Sequence, residues 1–445
     1  MQTEAFGAEL KRCGFCDFVG VPCSYLAPLI NWAINEDVFI MANNEGEAVA
    51  IASGVSLSNA KNPTSLSTSG ASADSSKEAR KYGVVLMQNS GLSNALSPLT
   101  SLNHTFEIPI LGFVSLRGEP NEAGQNTDEP QHELLGKITD KLLQTCEIEC
   151  AFLDCDFEVA CEQLAQAKKV LDTNKSFFFI VRKSCFEKVA LTHSPCSDFL
   201  GSASPHSLQR TPSAPHSFAS HNPKNSSTML EYGKTIDSIN NDKDNPQQDS
   251  MSKPTRLQAL QTIQSIAIDC ALLATTGKCG RELCELGDKP NQLYMVGSMG
   301  CVSALGLGIA LKSHKKVIAI DGDSALLMRL GTLSGNGYYS RLANKGNLCH
   351  ILLDNQSHDS TGGQFNLSPF VDFVAIAKSC GYEVAKEARN LDEFGKILRD
   401  FISTKEGGAW FIYLSIAKGS KKDLGRPKIT PKQVALRFGA WLNEG

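Results

Sequence analysis

An apolar run ends in a turn of acidic and small residues at positions 316–324, KVIAIDGDS, and this stretch decides the fold. A second apolar run at 348–353 ends in the same way, in DNQS at 354–357. In an open parallel sheet, ligands collect at the carboxyl ends of the strands, where glycine lets the backbone approach a phosphate. Asp323 and Asn355 place there the hard oxygen atoms that Mg²⁺ prefers. We therefore predict a parallel sheet with a phosphate and magnesium site at its carboxyl edge.

Short apolar runs alternate with helical patterns over most of the chain, which is typical of α/β proteins with parallel sheets. The helical patterns include 45–57 and 94–102. The predicted strands are 16–22, 38–42, 83–87, 108–114, 177–181, 271–275, 293–296, 316–320, 348–353 and 410–414.

The alternation is interrupted once. Residues 193–254 are rich in Ser, Pro, His, Asn and Asp and hold few large apolar side chains, so this segment cannot offset the entropy that ordering would cost. We predict an N-terminal domain over 1–192, a disordered linker over 193–254 and a C-terminal domain over 255–445. A smaller Ser-rich insert at 59–81 is expected to loop out between a helix and the next strand.

The composition is that of an ordinary globular protein and excludes collagen-like, coiled-coil and wholly disordered chains. The 445 residues include 43 basic and 47 acidic side chains, a net charge of −4, which gives no general attraction to nucleic acid or anionic membranes. No apolar run reaches the roughly 18 residues of a membrane helix, and no signal pattern opens the chain, so we expect a cytoplasmic protein. Most of the 15 cysteines look like small buried hydrophobes; Cys13 and Cys16 have C-x-x-C spacing but lack the second pair that zinc would need.

Two more stretches carry chemistry. Residues 296–300, VGSMG, hold an apolar side chain between glycines, and residues 44–50, NEGEAVA, open a helix with two acids. Together with the strand-end motif they resemble the thiamine diphosphate enzymes, whose signature is Gly-Asp-Gly followed one strand later by Asn-Asn. The resemblance implies thiamine diphosphate and Mg²⁺ as cofactors, and two domains that bind the pyrimidine (Pyr) and the diphosphate (PP). The alternative is an ordinary strand-to-turn Asp-Gly with no cofactor.

The resemblance also assigns residues. Here Gly322-Asp323-Ser324 is followed by 29 residues and then by Asp354-Asn355. By that match Asp323 and Asn355 are metal ligands, and the backbone carbonyl of Ser357 is the third. Ser324 and Asp354 depart from the signature without removing an expected ligand, although Ser324 adds a side chain close to the diphosphate. The residues that would meet the cofactor are Gly297, Ser298, Met299, Gly322, Asp323, Ser324 and Asn355, with Met299 either a wedge under the cofactor or a core methionine.

The acidic stretch places the catalytic glutamate of these enzymes at Glu45. Its carboxyl group would face the pyrimidine ring in a largely apolar pocket, where burial raises the pKa of a carboxyl group so that it can share a proton with the ring. The alternative is that Glu45 and Glu47 are solvated acids favoured by the helix dipole. We keep that interpretation for Glu47.

The two-domain plan resembles phosphonopyruvate decarboxylases and the related sulfopyruvate decarboxylases. The stretches that carry this resemblance are 20–24, 87–92, 117–120, 128–132, 275–278, 357–364 and 423–427. It implies a carboxy-lyase that converts 3-phosphonopyruvate to phosphonoacetaldehyde and CO₂, through an ylid and an enamine of the cofactor, in 2-aminoethylphosphonate biosynthesis. A sulfopyruvate or broader 2-keto acid decarboxylase, and a cofactor-binding protein without catalysis, are the alternatives.

The substrate carries up to three negative charges, which a chain of net −4 must meet with local donors. The candidates for binding it are Ser24, Ser90, Arg117 and Lys278, and the candidates for donating protons are His132 and His358. As purely structural alternatives, Arg117 pairs only with Glu119, and His358 caps a turn with Asp359.

Glu45 and Asp323 lie in different predicted domains. In the family that the chain resembles, these two residues meet across a subunit interface. The resemblance therefore implies a homodimer, or a dimer of dimers, with the active site between subunits.

Overall fold

A computed structural model describes residues 1–59, 80–192, 253–421 and 423–444. In the first half, six parallel strands form one sheet in the order β2-β1-β3-β4-β6-β5. The strands are β1 (Asp17–Gly20), β2 (Phe39–Met41), β3 (Gly83–Gln88), β4 (Leu111–Ser115), β5 (Glu149–Phe152) and β6 (Phe177–Val181). The helices are α1 (Thr3–Arg12), α2 (Ala27–Asn35), α3 (Glu45–Ser58), α4 (Leu92–Pro98), α5 (Glu133–Thr145) and α6 (Phe157–Leu171), with a π-helical segment at Leu99–His104.

The second half repeats this plan. Its strands are β7 (Ala271–Ala274), β8 (Gln292–Tyr294), β9 (Val317–Gly322), β10 (Leu348–Asp354), β13 (Val384–Ala388) and β14 (Trp410–Ser415), and β11 (Ser357–His358) and β12 (Gln364–Phe365) form a separate hairpin. Its helices are α7 (Arg256–Ile266), α8 (Lys278–Leu286), α9 (Val302–Lys312), α10 (Asp323–Met328), α11 (Thr332–Ala343), α12 (Phe373–Ser379), α13 (Leu391–Ser403) and α14 (Pro431–Leu442).

The second sheet is parallel and has the order β13-β14-β10-β9-β7-β8. Numbered within its own half, and leaving the hairpin aside, this is the strand order of the first sheet. In each sheet the order reverses between the first and third strands of that half. Such switch points open the crevice where α/β proteins bind ligands.

The predicted fold class is confirmed: two parallel sheets flanked by helices. The ten predicted strands all form, and the pattern at 94–102 is split between α4 and the π-helical segment. Strands β5 and β13 were not predicted, because these edge strands carry polar, partly exposed residues rather than an apolar run. The predicted linker and insert lie almost wholly outside the described residues, so the domain boundaries remain predictions. No helix in the described ranges has both the length and the apolar content that a bilayer crossing requires.

Helices α3 and α9 join the two halves into one compact unit. Every residue from Glu45 to Leu57 in α3 is buried, as is every residue from Val302 to Ala310 in α9. Helices that are apolar on all sides belong in a protein core. Glycine lets the two backbones touch, since a Cβ at Gly54 would lie 2.3 Å from the Leu305 carbonyl oxygen.

This close approach predicts that Gly54→Ala destabilises the protein. The added methyl group would meet backbone atoms that cannot move aside, so the cost of overpacking, about 1–3 kcal/mol, should exceed the gain of up to about 1 kcal/mol in helix propensity. We expect a lower midpoint of thermal unfolding. Gly425→Ala is the matched control, because a Cβ there meets nothing within 4 Å. Equal midpoints for the two variants would contradict the packing described here.

Candidate active site

The loops after β9 and β10 meet at Asp323. Its Oδ1 atom accepts a hydrogen bond from the Ser324 backbone N–H at 2.6 Å, and its Oδ2 atom accepts one from the Gln356 N–H at 2.8 Å. Asn355 accepts from the Ser357 N–H at 3.1 Å. The structure therefore brings together the three residues predicted to hold a metal ion.

A cavity of about 300 Å³ opens beside these loops. No atom lies within 4 Å of the position that a Cβ on Gly322 would take, so the backbone is open at this point. The predicted residues that line the cavity are Lys278, Met299, Gly322, Asp323, Ser324, Asn355, Ser357 and His358. Thr275, Thr276 and Gly277 also line it and were not singled out as site residues, although they follow a predicted strand at the same edge of the sheet.

The donor set at Asp323 is the kind that Mg²⁺ prefers, namely one carboxylate with amide and carbonyl oxygens and room for phosphate oxygens. Burial, together with the neighbouring carboxyl group of Asp354, raises the pKa of Asp323 to about 6. The Ser357 hydroxyl in the cavity wall is buried and has no hydrogen-bond partner among the described residues. Among the described residues, no group of three or more His, Cys, Asp or Glu side chains is arranged to hold a metal ion. Cys13 and Cys16 are therefore not part of such a group.

The two departures from the family signature have local explanations. Asp354 accepts hydrogen bonds from the Ser368 hydroxyl at 2.8 Å and the Tyr413 hydroxyl at 2.9 Å, so its carboxylate is used within the protein. The Ser324 hydroxyl accepts from the Asn366 side-chain amide at 2.8 Å and donates to Asp323. Both side chains therefore support the loop that carries Asp323.

A strained loop positions Met299. Gly297, Ser298 and Gly300 have φ angles of 69°, 48° and 83°, values that a non-glycine residue rarely adopts. The Ser298 hydroxyl shares a hydrogen bond of 2.6 Å with the Ser101 hydroxyl of the first half, and the Gly297 N–H donates to the Thr276 hydroxyl at 3.0 Å. These contacts direct the methionine side chain to the cavity wall.

Glu45 opens α3 and is 9% exposed. Its Oε2 atom accepts from the Asn94 side-chain amide at 3.0 Å, and Gly91 lies directly against its carboxyl group. The described residues that line the Asp323 cavity all come from the second half of the chain, so Glu45 is not one of them.

The prediction that Glu47 is solvated is wrong, because Glu47 is fully buried. It accepts hydrogen bonds from the backbone N–H of Asn43 at 3.0 Å and from its side-chain amide. Its burial follows from that of α3 on every side. Arg329, which follows α10, contacts the N-cap residue Asn44 and so connects the segment after β9 in one half to the start of α3 in the other.

Burial raises the pKa of Glu47, and this gives a pH test. A carboxyl group whose pKa is higher in the folded state than in the unfolded state stabilises the fold at low pH. This contribution is fully present below the unfolded-state pKa and is lost as pH rises through the folded-state pKa. The stability of Glu47→Gln relative to the wild type should therefore be greater at pH 8 than at pH 5. Unfolding midpoints of both proteins at the two pH values measure this. A relative stability that falls with pH would mean that the ionised form is the one stabilised.

Arg117 is paired, but with Asp128 rather than Glu119. Two nitrogen atoms of its guanidinium group contact the two carboxylate oxygens at 2.5 Å each, and Nη1 donates to the Ser24 hydroxyl at 3.5 Å. This arrangement holds the pKa of Asp128 well below its usual range. Glu119 pairs with Arg182 instead. The Asp128 contact was not predicted, because it depends on how the loop 117–130 folds back.

The remaining candidates fall into two groups. Ser90, whose hydroxyl accepts from the Gln88 amide at 2.6 Å, and the buried His132 belong to the first half with Arg117. Lys278 and His358 line the Asp323 cavity. Asp359 accepts hydrogen bonds from the Asn355 side-chain amide at 2.7 Å and from the Gly419 backbone N–H at 3.1 Å, so its carboxylate supports a predicted ligand.

Known proteins are similar in sequence to this chain. The family model "Thiamine pyrophosphate enzyme, C-terminal TPP binding domain" matches residues 276–413, which contain Met299, Asp323, Asn355 and Ser357. A phosphonopyruvate decarboxylase from Streptomyces viridochromogenes is 34% identical over 439 residues, which is 98% of this chain and 93% of the relative. The sulfopyruvate decarboxylase subunit beta of Methanothermobacter thermautotrophicus is 36% identical over 31% of this chain and 72% of its own length.

The fold has solved counterparts. The crystal structure of benzoylformate decarboxylase from Polynucleobacter necessarius matches with a TM-score of 0.61 and 13% identity, covering 95% of this chain and 100% of that one. At this identity the match supports the fold alone. The Streptomyces viridochromogenes relative, by contrast, matches nearly the whole chain at 34% identity, and this match shows the family. The chain belongs to the phosphonopyruvate decarboxylase family of thiamine diphosphate enzymes.

Proposed function

We propose that this chain decarboxylates 3-phosphonopyruvate to phosphonoacetaldehyde and CO₂, with thiamine diphosphate and Mg²⁺ as cofactors. One observation carries the proposal: a phosphonopyruvate decarboxylase matches 98% of the chain, and so includes both the Glu45 segment and the Asp323 cavity. In the catalytically inactive alternative, nothing would require the predicted ligands and the acid to be present together.

The chain's own residues have separable tasks in this reaction. When bound, thiamine diphosphate supplies a carbon nucleophile that accepts the electron pair left behind by CO₂. Asp323, Asn355 and the Ser357 carbonyl would hold Mg²⁺, and the open backbone at Gly322 leaves space for the diphosphate. Met299 would pack against the cofactor, and Glu45 would exchange a proton with the pyrimidine ring of the cofactor.

We also propose how the substrate is held. Ser24, Ser90 and Arg117 of the first half, with Lys278 of the second, would bind its anionic groups, and His132 and His358 would donate protons. No described residue of the first half lines the Asp323 cavity, so a second copy of the chain would supply the Glu45 side of each active site. The active unit is then a homodimer or a dimer of dimers.

Sulfopyruvate is the second candidate substrate, since a sulfopyruvate decarboxylase subunit matches part of the chain at similar identity. CO₂ release from phosphonopyruvate, sulfopyruvate and pyruvate, each with and without thiamine diphosphate and Mg²⁺, tests the proposal. We expect the highest kcat/KM with phosphonopyruvate and none without the cofactors. Equal kcat/KM values for all three substrates would reject the phosphonate assignment, and no turnover of any would favour the inactive alternative.

A further inference from the structure

A second cavity, of about 380 Å³, adjoins the cofactor cavity. The two cavities share Thr276 and Gly277 in their walls. The second one also contains Arg281 from α8 and Arg426 from the segment before α14, beside the exposed Val296 that follows β8. Two guanidinium groups from distant parts of the chain thus line one space next to the proposed reaction centre.

The charge in this second cavity is unbalanced. Its wall contains no Asp or Glu, and within the described ranges neither Arg281 nor Arg426 pairs with a carboxylate. The acids on and just after α8 are used by other cations: Glu282 pairs with Arg256 at 3.0 Å, Glu285 with Lys421, and Asp288 with Arg437 at 2.8 Å. In a chain of net charge −4, two cations that line one cavity, with no acid in its described wall, would attract an anion to that cavity.

The chemistry of two arginine side chains suits a tetrahedral anion with several oxygens. A guanidinium group presents a planar fork of N–H donors that matches phosphate and carboxylate oxygens in pairs. Arg281 follows Lys278 by one turn of α8, and Lys278 lines the neighbouring cavity, so positive charge runs from one cavity to the other.

We propose that Arg281 and Arg426 bind a tetrahedral oxyanion beside the cofactor cavity, either free phosphate or the phosphonate group of the substrate. In the second case, the donors proposed above would hold the carboxylate of the substrate. The second source rests on the proposed function, and the first does not. The anion-binding site itself requires neither, because it rests on the presence of two arginines, and of no acid, among the described residues of the cavity wall.

Calorimetric titration of the full chain, saturated with thiamine diphosphate and Mg²⁺, with inorganic phosphate tests the site without an activity measurement. Wild type and Lys428→Gln, an exposed cation on the same segment outside the cavity wall, should bind phosphate equally. Arg281→Gln and Arg426→Gln should each weaken binding by about tenfold or more. Because Arg426 is exposed, its variant is expected to fold and decides the test if the Arg281 variant does not. Equal binding by all four proteins, or no binding by the wild type, would overturn the proposal.

Kinetics then separate the two sources. If the phosphonate group is the occupant, phosphate competes with phosphonopyruvate, and Arg426→Gln raises the KM for phosphonopyruvate but not for pyruvate. If free phosphate is the occupant, the KM for phosphonopyruvate is unchanged and phosphate does not compete. Turnover of phosphonopyruvate without any phosphate site would overturn this inference alone, whereas a phosphate site without such turnover would overturn only the proposed function.

Discussion

Asp323→Asn is expected to weaken Mg²⁺ binding by at least about 100-fold, because changes that only touch the partners of metal ligands already cost about 10–100-fold. Asp323 is the single carboxylate among the three proposed ligands, and the asparagine amide keeps the shape of the side chain but loses its charge. Decarboxylation should fall with Mg²⁺ binding and should recover in part at high Mg²⁺ concentration. Titration of activity and of cofactor binding with Mg²⁺ measures both effects.

The same substitution should leave the fold intact. Asp323 is 4% exposed and lies beside Asp354, and burial with this neighbour raises its pKa to about 6, so removing the charge offsets the loss of one of its two backbone hydrogen bonds. The variant without metal should therefore unfold at a temperature no lower than the wild type without metal. Asp400→Asn, an exposed acid on α13, is the control and should leave Mg²⁺ binding unchanged. Wild-type Mg²⁺ affinity in Asp323→Asn would show that this carboxylate is not a ligand.

The features that the sequence predicted well are those that depend on residues adjacent in the chain. The strand that ends before Asp323 and the strand that ends before Asn355 are apolar runs followed by turn residues, and parallel strands bring such ends to one edge of a sheet. The position of the cavity beside Asp323 follows from that placement.

The features that it missed depend on contacts between distant segments. Glu47 was interpreted as solvated because a helix-start acid usually is, and only the packing of α3 between the two halves buries it. Arg117 lies two residues from Glu119, yet a loop returns Asp128 to it with better geometry. The cavity of Arg281 and Arg426 joins residues 145 positions apart, for which no local pattern exists.

Glu45→Gln should lower kcat by about 100-fold to 10,000-fold, the usual contribution of a positioned acid or base. The amide cannot exchange a proton with the pyrimidine ring, but it has nearly the same shape. Its oxygen can still accept from the Asn94 amide and pack against Gly91, so cofactor affinity should change little. The measurements are kcat at saturating cofactor and substrate, the dissociation constant of thiamine diphosphate, and deuterium exchange at its C2 carbon, which should slow together with kcat.

Glu4→Gln is the matched control, since Glu4 is an exposed acid in the first turn of α1 as Glu45 is an acid in the first turn of α3. If Glu45 only interacted favourably with the helix dipole, each variant would lose about 0.3–1 kcal/mol of stability. Both variants would then keep full turnover. A large loss of kcat in one variant and none in the other, at equal cofactor affinity, separates proton transfer from helix stabilisation. Unchanged turnover and unchanged C2 exchange in Glu45→Gln would remove Glu45 from the mechanism and require another acid at the pyrimidine ring.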